Sequence, residues 1–339
     1  MRTIRVSVGH SKWQPEGLVF DRNVSLSSVP TAEQLAEILF DEDVTDIQPT
    51  ESLAGTAYAA LDLLPRSDGP DLWRGRAAFL DKWDVAIRLR EIGLRIPDTL
   101  RADLSPPTEA VTHFALPIVL KSRVGSSGLG VEVFESLESL QKFWETIKEP
   151  REWFYERFVQ GESFVCAACV GDEEIEVVAT YETIERVYFR GPSTVVVLRH
   201  EPTLVDIAKR LAGVMRIRGF VCFDVIRDTS GHEWIHDVNP RVFGTFSMCQ
   251  LAGYDFVGAY LKCLRGEGSI EPNRLETFDV RSYTFPSGLG EVLRSGHSGR
   301  AWSRTFRWGW RYERLLGWRY FLSWTMRVLT RSGRSIPER

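Results

Sequence analysis

No run of about 18 uncharged apolar residues occurs in the 339-residue chain, so no membrane-spanning helix is expected. The opening Met1-Arg2-Thr3-Ile4-Arg5-Val6 has no long apolar core, which argues against a signal peptide. Cysteines are few: five, irregularly spaced, which excludes a disulfide framework and suits a reducing cytosol. A net charge of only −4 gives no global attraction to nucleic acid. Internal repeats and low-complexity segments are absent, as is any Ser-His-Asp arrangement that would support covalent catalysis. The expected location is cytoplasmic.

What is present is ordinary globular composition, 43% hydrophobic and 26% charged. The length allows about two to three domains. A β-α-β-α rhythm opens the chain: a strand over 3–9, a helix over 31–40, a short strand over 44–48 and a helix over 53–64. The loop Pro65 to Pro70 is a plausible boundary. Beyond it a helix is predicted over 80–92, then strands over 116–122 and 131–134, a helix over 136–147, and strands over 153–158, 163–170 and 175–181. A helix over 203–214 and two strands, 219–226 and 233–238, follow. Strands and helices mix without strict alternation, which points to an α+β, mostly antiparallel core after a small α/β start.

The richest stretch runs from Phe223-Asp224 to Val238-Asn239-Pro240-Arg241. Two adjacent antiparallel strands joined by Asp228-Thr229-Ser230-Gly231 would put Asp224 on one face with Cys222 and Ile226, and Asp237 with Asn239 on one face of the partner. Such hard oxygen donors suit Mg²⁺, and Arg241 suits an anion. The competing reading is a structural Asp237–Arg241 ion pair, with Asn239 starting a turn. About a hundred residues earlier, Lys121 ends a strand just before Gly125-Ser126-Ser127-Gly128-Leu129-Gly130. Glycines let backbone amides approach phosphate closely, but a plain hairpin explains them as well. Between them, Glu156, the backbone of Phe158 and Glu162 can serve an adenine and a ribose, or form a charged strand edge.

Two other motifs are discounted. His232-Glu233-Trp234-Ile235-His236 matches a zinc-protease pattern letter for letter, but that chemistry needs a helix. In a strand the two histidines lie roughly 13 Å apart, too far for one zinc. Cys166 and Cys169, three apart in a strand, point to opposite faces and read as core thiols.

Taken in order, these segments over about 80–265 resemble the ATP-grasp superfamily, in particular its carboxylate–amine ligases. The resemblance implies an ATP-grasp fold with ATP between two α+β subdomains. It divides the chain into a small Rossmann-like α/β unit (1–78), the ATP-grasp domain (79–270, its lid over about 113–160) and a C-terminal helical extension (271–339). It implies that Lys82 and Lys121 bind phosphates, that the turn holding Gly125, Ser126, Ser127, Gly128 and Gly130 closes over them, and that Glu156, Arg157, Phe158 and Val159 form the adenine hinge. Glu162 would hold the ribose. Asp224, Asp237 and Asn239 would bind one or two Mg²⁺ ions, with Mn²⁺ as a substitute, and Arg241 would hold an acyl phosphate. The implied activity joins a small carboxylic or amino acid to an amine, releasing ADP and phosphate. The rival readings are a small-molecule kinase of the same fold and a non-catalytic ATP-binding docking protein. Two departures stand out: the second metal carboxylate is usually Glu but is Asp237 here, and Cys222 stands where some relatives carry arginine. Charge at that point is then expected from Arg241 or Arg199.

The charge is unevenly spread. Residues 294–339 hold eleven Arg, no Lys and two Glu, together with five of the eleven Trp. Apolar residues from Trp302 to Val328 recur at near-helical spacing, with Arg300, Arg304, Arg307, Arg311 and Arg314 on another face. This suits a helix packed on the acidic body, a peripheral membrane contact, or an acidic carrier-protein or homo-oligomer contact through 300–330. No nucleic-acid partner is expected.

Overall fold

The computed structural model describes residues 4–8, 22–26, 30–41, 79–125, 130–171, 174–186, 193–215, 218–267 and 280–283, together with positions 57, 59, 60, 63 and 128. Contacts group residues Met1–Pro30 with Phe285–Arg339, and Thr31–Thr284 by themselves, so residues 31–78 fall with the larger unit. In the first unit β1 (Ile4–Val8) pairs in parallel with β2 (Arg22–Leu26), a strand the sequence pattern did not suggest. The basic aromatic tail, the strand expected over 44–48 and most of the helix expected over 53–64 lie outside the described residues.

The second unit begins with α1 (Ala32–Asp41) and carries two antiparallel sheets. The smaller has the order β3-β6-β4-β5, built from β3 (Thr99–Arg101), β4 (Ile118–Ser122), β5 (Val131–Phe134) and β6 (Trp153–Arg157). Two helices back it, α3 (Pro107–Phe114) and α4 (Leu137–Trp144). Ser136 starts α4 by accepting from the Ser139 amide (3.2 Å), which satisfies one orphan donor of its first turn. Strand alternation sorts the side chains. Ile118, Leu120 and Tyr155 join Ala110, Phe134 and Leu140 in a core on the helix side. Val119, Lys121 and Glu156 therefore turn to the opposite face, where a cavity begins.

The larger sheet has the order β11-β10-β7-β8-β9-β12. Its strands are β7 (Gly161–Val170), β8 (Ile175–Arg186), β9 (Ser193–Leu198), β10 (Gly219–Asp228), β11 (Glu233–Asn239) and β12 (Val280–Tyr283). Two helices cover one face, α2 (Lys82–Glu91) and α5 (Pro202–Met215). Val85, Ala86 and Leu89 of α2 and Leu204, Ala208 and Leu211 of α5 bury against Phe164, Cys166, Val221, Phe223 and Val225. Removing that apolar surface from water is what holds the layer, at about 25 cal/mol per Å². Asp81 caps α2, accepting from the amides of Trp83 (3.0 Å) and Asp84 (3.2 Å). At one end of the opposite face lie α6 (Phe246–Leu251) and α7 (Phe256–Arg265), where Phe220 stacks on Tyr260. Beyond these helices that face looks into the cavity. Gly161, the first residue of β7, lies against the Arg227 carbonyl, leaving no room for a Cβ.

The fold is thus α+β, and the main strands and helices of the central region fall where the periodicity put them. The helices α3, α6 and α7 and the strands β3 and β12 were not anticipated. The strands β3 and β12 and the helix α6 are short, whereas α7 carries a helical period that reading along the chain overlooked: Phe256, Ala259, Tyr260 and Cys263 are buried on one face between the Asp255 cap and Gly266.

Candidate functional site

The β10–β11 hairpin sets the centre of the site. Its turn is closed by Asp228, whose carboxylate accepts from the amides of Ser230 and His232 (both 2.9 Å). Register places Cys222 opposite Asn239 and Asp224 opposite Asp237, then shifts by one residue so that Val225 faces Ile235. His236 is the extra residue, a β-bulge. The shift lets Ile235 and Val238, three apart, both enter the core. In a regular strand they would point to opposite faces. It also keeps Asp237 and Asn239 on the cavity side with Asp224, as the sequence pattern suggested.

The cavity, about 440 Å³, lies between the inner faces of the two sheets. Its apolar walls come from Val119, Val131, Val133, Val165 and Ile226, beside the segment Phe158–Gly161 that links β6 to β7. At this end Lys121 donates to Glu156 (2.5 Å) and to the His236 carbonyl (3.1 Å), tying the small sheet to the bulge. Both members of the pair are buried, at 5% exposure. Burial raises the Glu156 pKa above the usual carboxylate range, and the lysine opposes it only in part. His236, half-buried, is driven down to about 3 by burial and then by Lys121, so it is neutral at pH 7.

Beside this pair Lys82, the first residue of α2, donates to Asp237 (2.6 Å). Burial pushes the Asp237 carboxyl up, but Lys82 and Lys121 together hold it well below the ordinary range. Asn239 donates to Asp237 (3.1 Å) and accepts from Arg241 (3.0 Å), so Asp237, Asn239 and Arg241 form a chain. The direct Asp237–Arg241 pair considered from sequence is replaced by the Lys82–Asp237 pair. Asp224 differs: burial, with the nearby Asp237, raises it to about 6 against the pull of Arg186, Lys82 and Arg241. Two facing carboxylates, one of them short of positive charge, and an amide oxygen form a donor set that fits a divalent cation. Among the described residues no three His, Cys, Asp or Glu gather into a ready metal cage. A cation here would complete its shell with phosphate oxygens and water, as Mg²⁺ prefers.

The remaining expected residues are placed as follows. Gly128 lines the cavity, Gly125 is exposed, and Gly130 turns the chain with φ 73°, its carbonyl accepting from the Ser122 amide (2.7 Å). Ser126 and Ser127 lie outside the described residues. Arg157 sits over the Trp234 ring (4.4 Å) rather than in the cavity wall. Glu162 is exposed and outside the wall, while its neighbours Gly161 and Ser163 line it. Arg199 pairs with Glu182 (2.9 Å) away from the wall. Sequence reasoning missed Arg186, Ser163, Ser193, Tyr181, Phe243 and Thr245, all in the wall. The only signal for Arg186 is a cation closing a long strand, and nothing local separates that from a solvated edge.

Comparison with known proteins agrees with this architecture. Residues 79–245 match the ATP-grasp domain family. The chain is 25% identical over 211 residues to a D-alanine–D-alanine ligase of Chromohalobacter salexigens, covering 59% of this chain and 64% of the ligase. It therefore spans about two thirds of that relative's length, and slightly less. Among solved structures, the ADP complex of an N5-carboxyaminoimidazole ribonucleotide synthetase superposes with a TM-score of 0.66 at 17% identity, covering 87% of this chain and 78% of the other. The biotin carboxylase domain of Hydrogenobacter thermophilus 2-oxoglutarate carboxylase superposes with a TM-score of 0.60 at 16% identity, covering 81% and 65%. The chain carries an ATP-grasp domain.

Proposed function

We propose that this ATP-grasp domain makes the chain an ADP-forming carboxylate–amine ligase that works through an acyl phosphate. The observation that carries this reading is one cavity that joins an apolar slot beside the β6–β7 link to a charged cluster of Lys82, Lys121, Asp224, Asp237, Asn239 and Arg241. The first suits an adenine, the second a metal-bound triphosphate and an anionic reactant. The relatives support it: one is a D-alanine–D-alanine ligase by name, and another was solved with ADP.

Asp224, Asp237 and the Asn239 oxygen would hold Mg²⁺, which when bound offsets charge on the phosphates of ATP. Lys121, anchored by Glu156 and the His236 carbonyl, would present its ammonium to the phosphates from the small sheet. Lys82 would do so from α2, exchanging part of its contact with Asp237. An oxygen of the acid attacks the γ-phosphorus, the bond to ADP breaks, and an acyl phosphate forms. Arg241, steadied by Asn239, would stabilise the oxyanion when the amine nitrogen attacks the acyl carbon. The amine loses a proton and phosphate leaves, giving the amide.

The test is ADP and phosphate release with Mg²⁺ and ATP over a panel of amino and other carboxylic acids, each with and without amines. Acid-dependent release that rises with an amine, and that Asp237→Asn abolishes, is the expected result. ADP release with an acid, a stable phosphorylated product and no effect of amine would replace the ligase with a kinase.

A further inference from the structure

We propose that Tyr181, Phe243 and Thr245 form the seat of the acid's side group and restrict the acid to one whose side group is compact and uncharged. This rests on the ligase reading given above and narrows its substrate. The strand register places Asp237, Asp224, Val165 and Tyr181 side by side on four neighbouring strands, β11, β10, β7 and β8. All four belong to the cavity wall. Neighbouring strands lie about 4.8 Å apart, so Tyr181 stands roughly 10 Å along this row from Asp224. In the ligase reading the nucleotide approaches the two carboxylates from the small sheet. The acid is left the other direction, with its side group over Val165 and Tyr181.

Among the described residues this part of the wall is closed by neutral groups. Tyr181 and Thr245, 64 positions apart, share a hydrogen bond between their hydroxyls (2.5 Å), and both are buried. Burial holds the Tyr181 phenol well above its ordinary pKa, so it stays neutral. Phe243, two residues past Arg241, meets Phe246 and Phe256 edge-on, with centroids 5.6 and 5.2 Å apart, and these contacts fix its ring. Arg186 stands on the other side of the row: it donates to Ser163, two residues along β7 from Val165 and away from Ala167. Arg241 is taken up by the reacting carboxyl group in the reading above. A charged side group seated against Tyr181 and Thr245 would lose its water without gaining a counter-ion, which is strongly unfavourable. Size is limited as well. The cavity, about 440 Å³, lies toward the low end of the roughly 300–1,000 Å³ of single small-ligand sites, so a nucleotide leaves little space beside it.

The test is ADP release at saturating Mg²⁺ and ATP with acids matched in size and unlike in charge: leucine against aspartate, norleucine against lysine, butyrate against succinate. The neutral member of a pair should have a kcat/KM at least about a hundredfold higher than its charged partner. Tyr181→Leu, which enlarges the seat, should raise kcat/KM for a bulkier neutral acid at least about tenfold relative to the acid that wild type prefers. Phe243→Leu should shift the preference the same way, and calorimetric ADP binding checks that the cavity of each variant is intact. Equal kcat/KM for neutral and charged partners in wild type overturns the assignment and leaves the ligase reading standing. A proportional loss across all acids in folded Tyr181→Leu and Phe243→Leu also overturns it, since these residues then support the cavity as a whole. If ADP binds but its release depends on no acid, the ligase reading falls first and this inference with it.

Discussion

On the small sheet Lys121 and Glu156 close on one another, both nearly fully buried, while on the large sheet Asp224 and Asp237 sit opposite each other as like charges. The first arrangement is complete without any ligand. The second draws on Lys82 from a helix and Arg186 from another strand, and still leaves the Asp224 carboxyl raised to about 6. A self-neutralised pair fixes shape and points one ammonium at the cavity. A pair of facing carboxylates stores a demand for cations, which a metal-bound nucleotide can meet. The difference separates the part of the site that is built to stay from the part that is built to bind.

The sharpest way to break that contrast is Lys121→Met, which strands Glu156 as a buried, uncompensated acid. Denaturant unfolding should show a loss of about 3–5 kcal/mol, and adding Glu156→Gln should restore most of it. A loss below about 1 kcal/mol would mean the pair is not closed in solution. On the opposite side, Asp224→Asn removes a charge that burial already disfavours. At pH 7 its melting temperature should equal or exceed that of wild type, while acid-dependent ADP release drops at least about a hundredfold. A parallel loss of stability and turnover would erase the distinction between the two sides.

Protonation sharpens the contrast further. The folded pKa of Asp224 lies above its ordinary value of 3.8, so the folded state holds the proton more tightly than the unfolded chain. The stability this contributes is present below about pH 4 and is lost as pH rises through about 6. Cation binding runs the other way, because only the carboxylate is a ligand. Mn²⁺ affinity followed by electron paramagnetic resonance should rise across pH 5–7 in wild type, and this step should flatten in Asp224→Asn. The smallest effect belongs to the outer layer of the small sheet. Ser136→Ala removes the cap of α4 and should cost about 1 kcal/mol of stability with no change in nucleotide affinity.

Much of this was legible in the chain. Alternation in β4 separates Ile118 and Leu120 from Val119 and Lys121, and that split is the division between core and cavity. The Asp228–Gly231 turn announced an antiparallel hairpin, and the strand context removed the zinc reading of His232 and His236. The family resemblance implied Glu162 at the ribose, where a carboxylate can accept from the hydroxyls; strand alternation brings Ser163 into the cavity wall and leaves the Glu162 side chain exposed outside it. Arg186 was invisible, since a strand-end arginine acquires meaning only when its neighbours in the sheet are known.

By itself the sequence determined most of the long strands and helices of the central region, the turn that joins β10 to β11, and which chemical groups those strands offer to one face or the other. These follow from periods of 2 and 3.6 and from local hydrogen bonding, which act over a few residues. The tertiary structure alone decided which cation meets which carboxylate. Lys82 reaches Asp237 across 155 positions and Lys121 reaches the His236 carbonyl across 115. Both meetings depend on the one-residue bulge at His236. The bulge accompanies the burial of both Ile235 and Val238 beneath α2 and α5, and such packing is a property of the assembled layers that no local pattern contains.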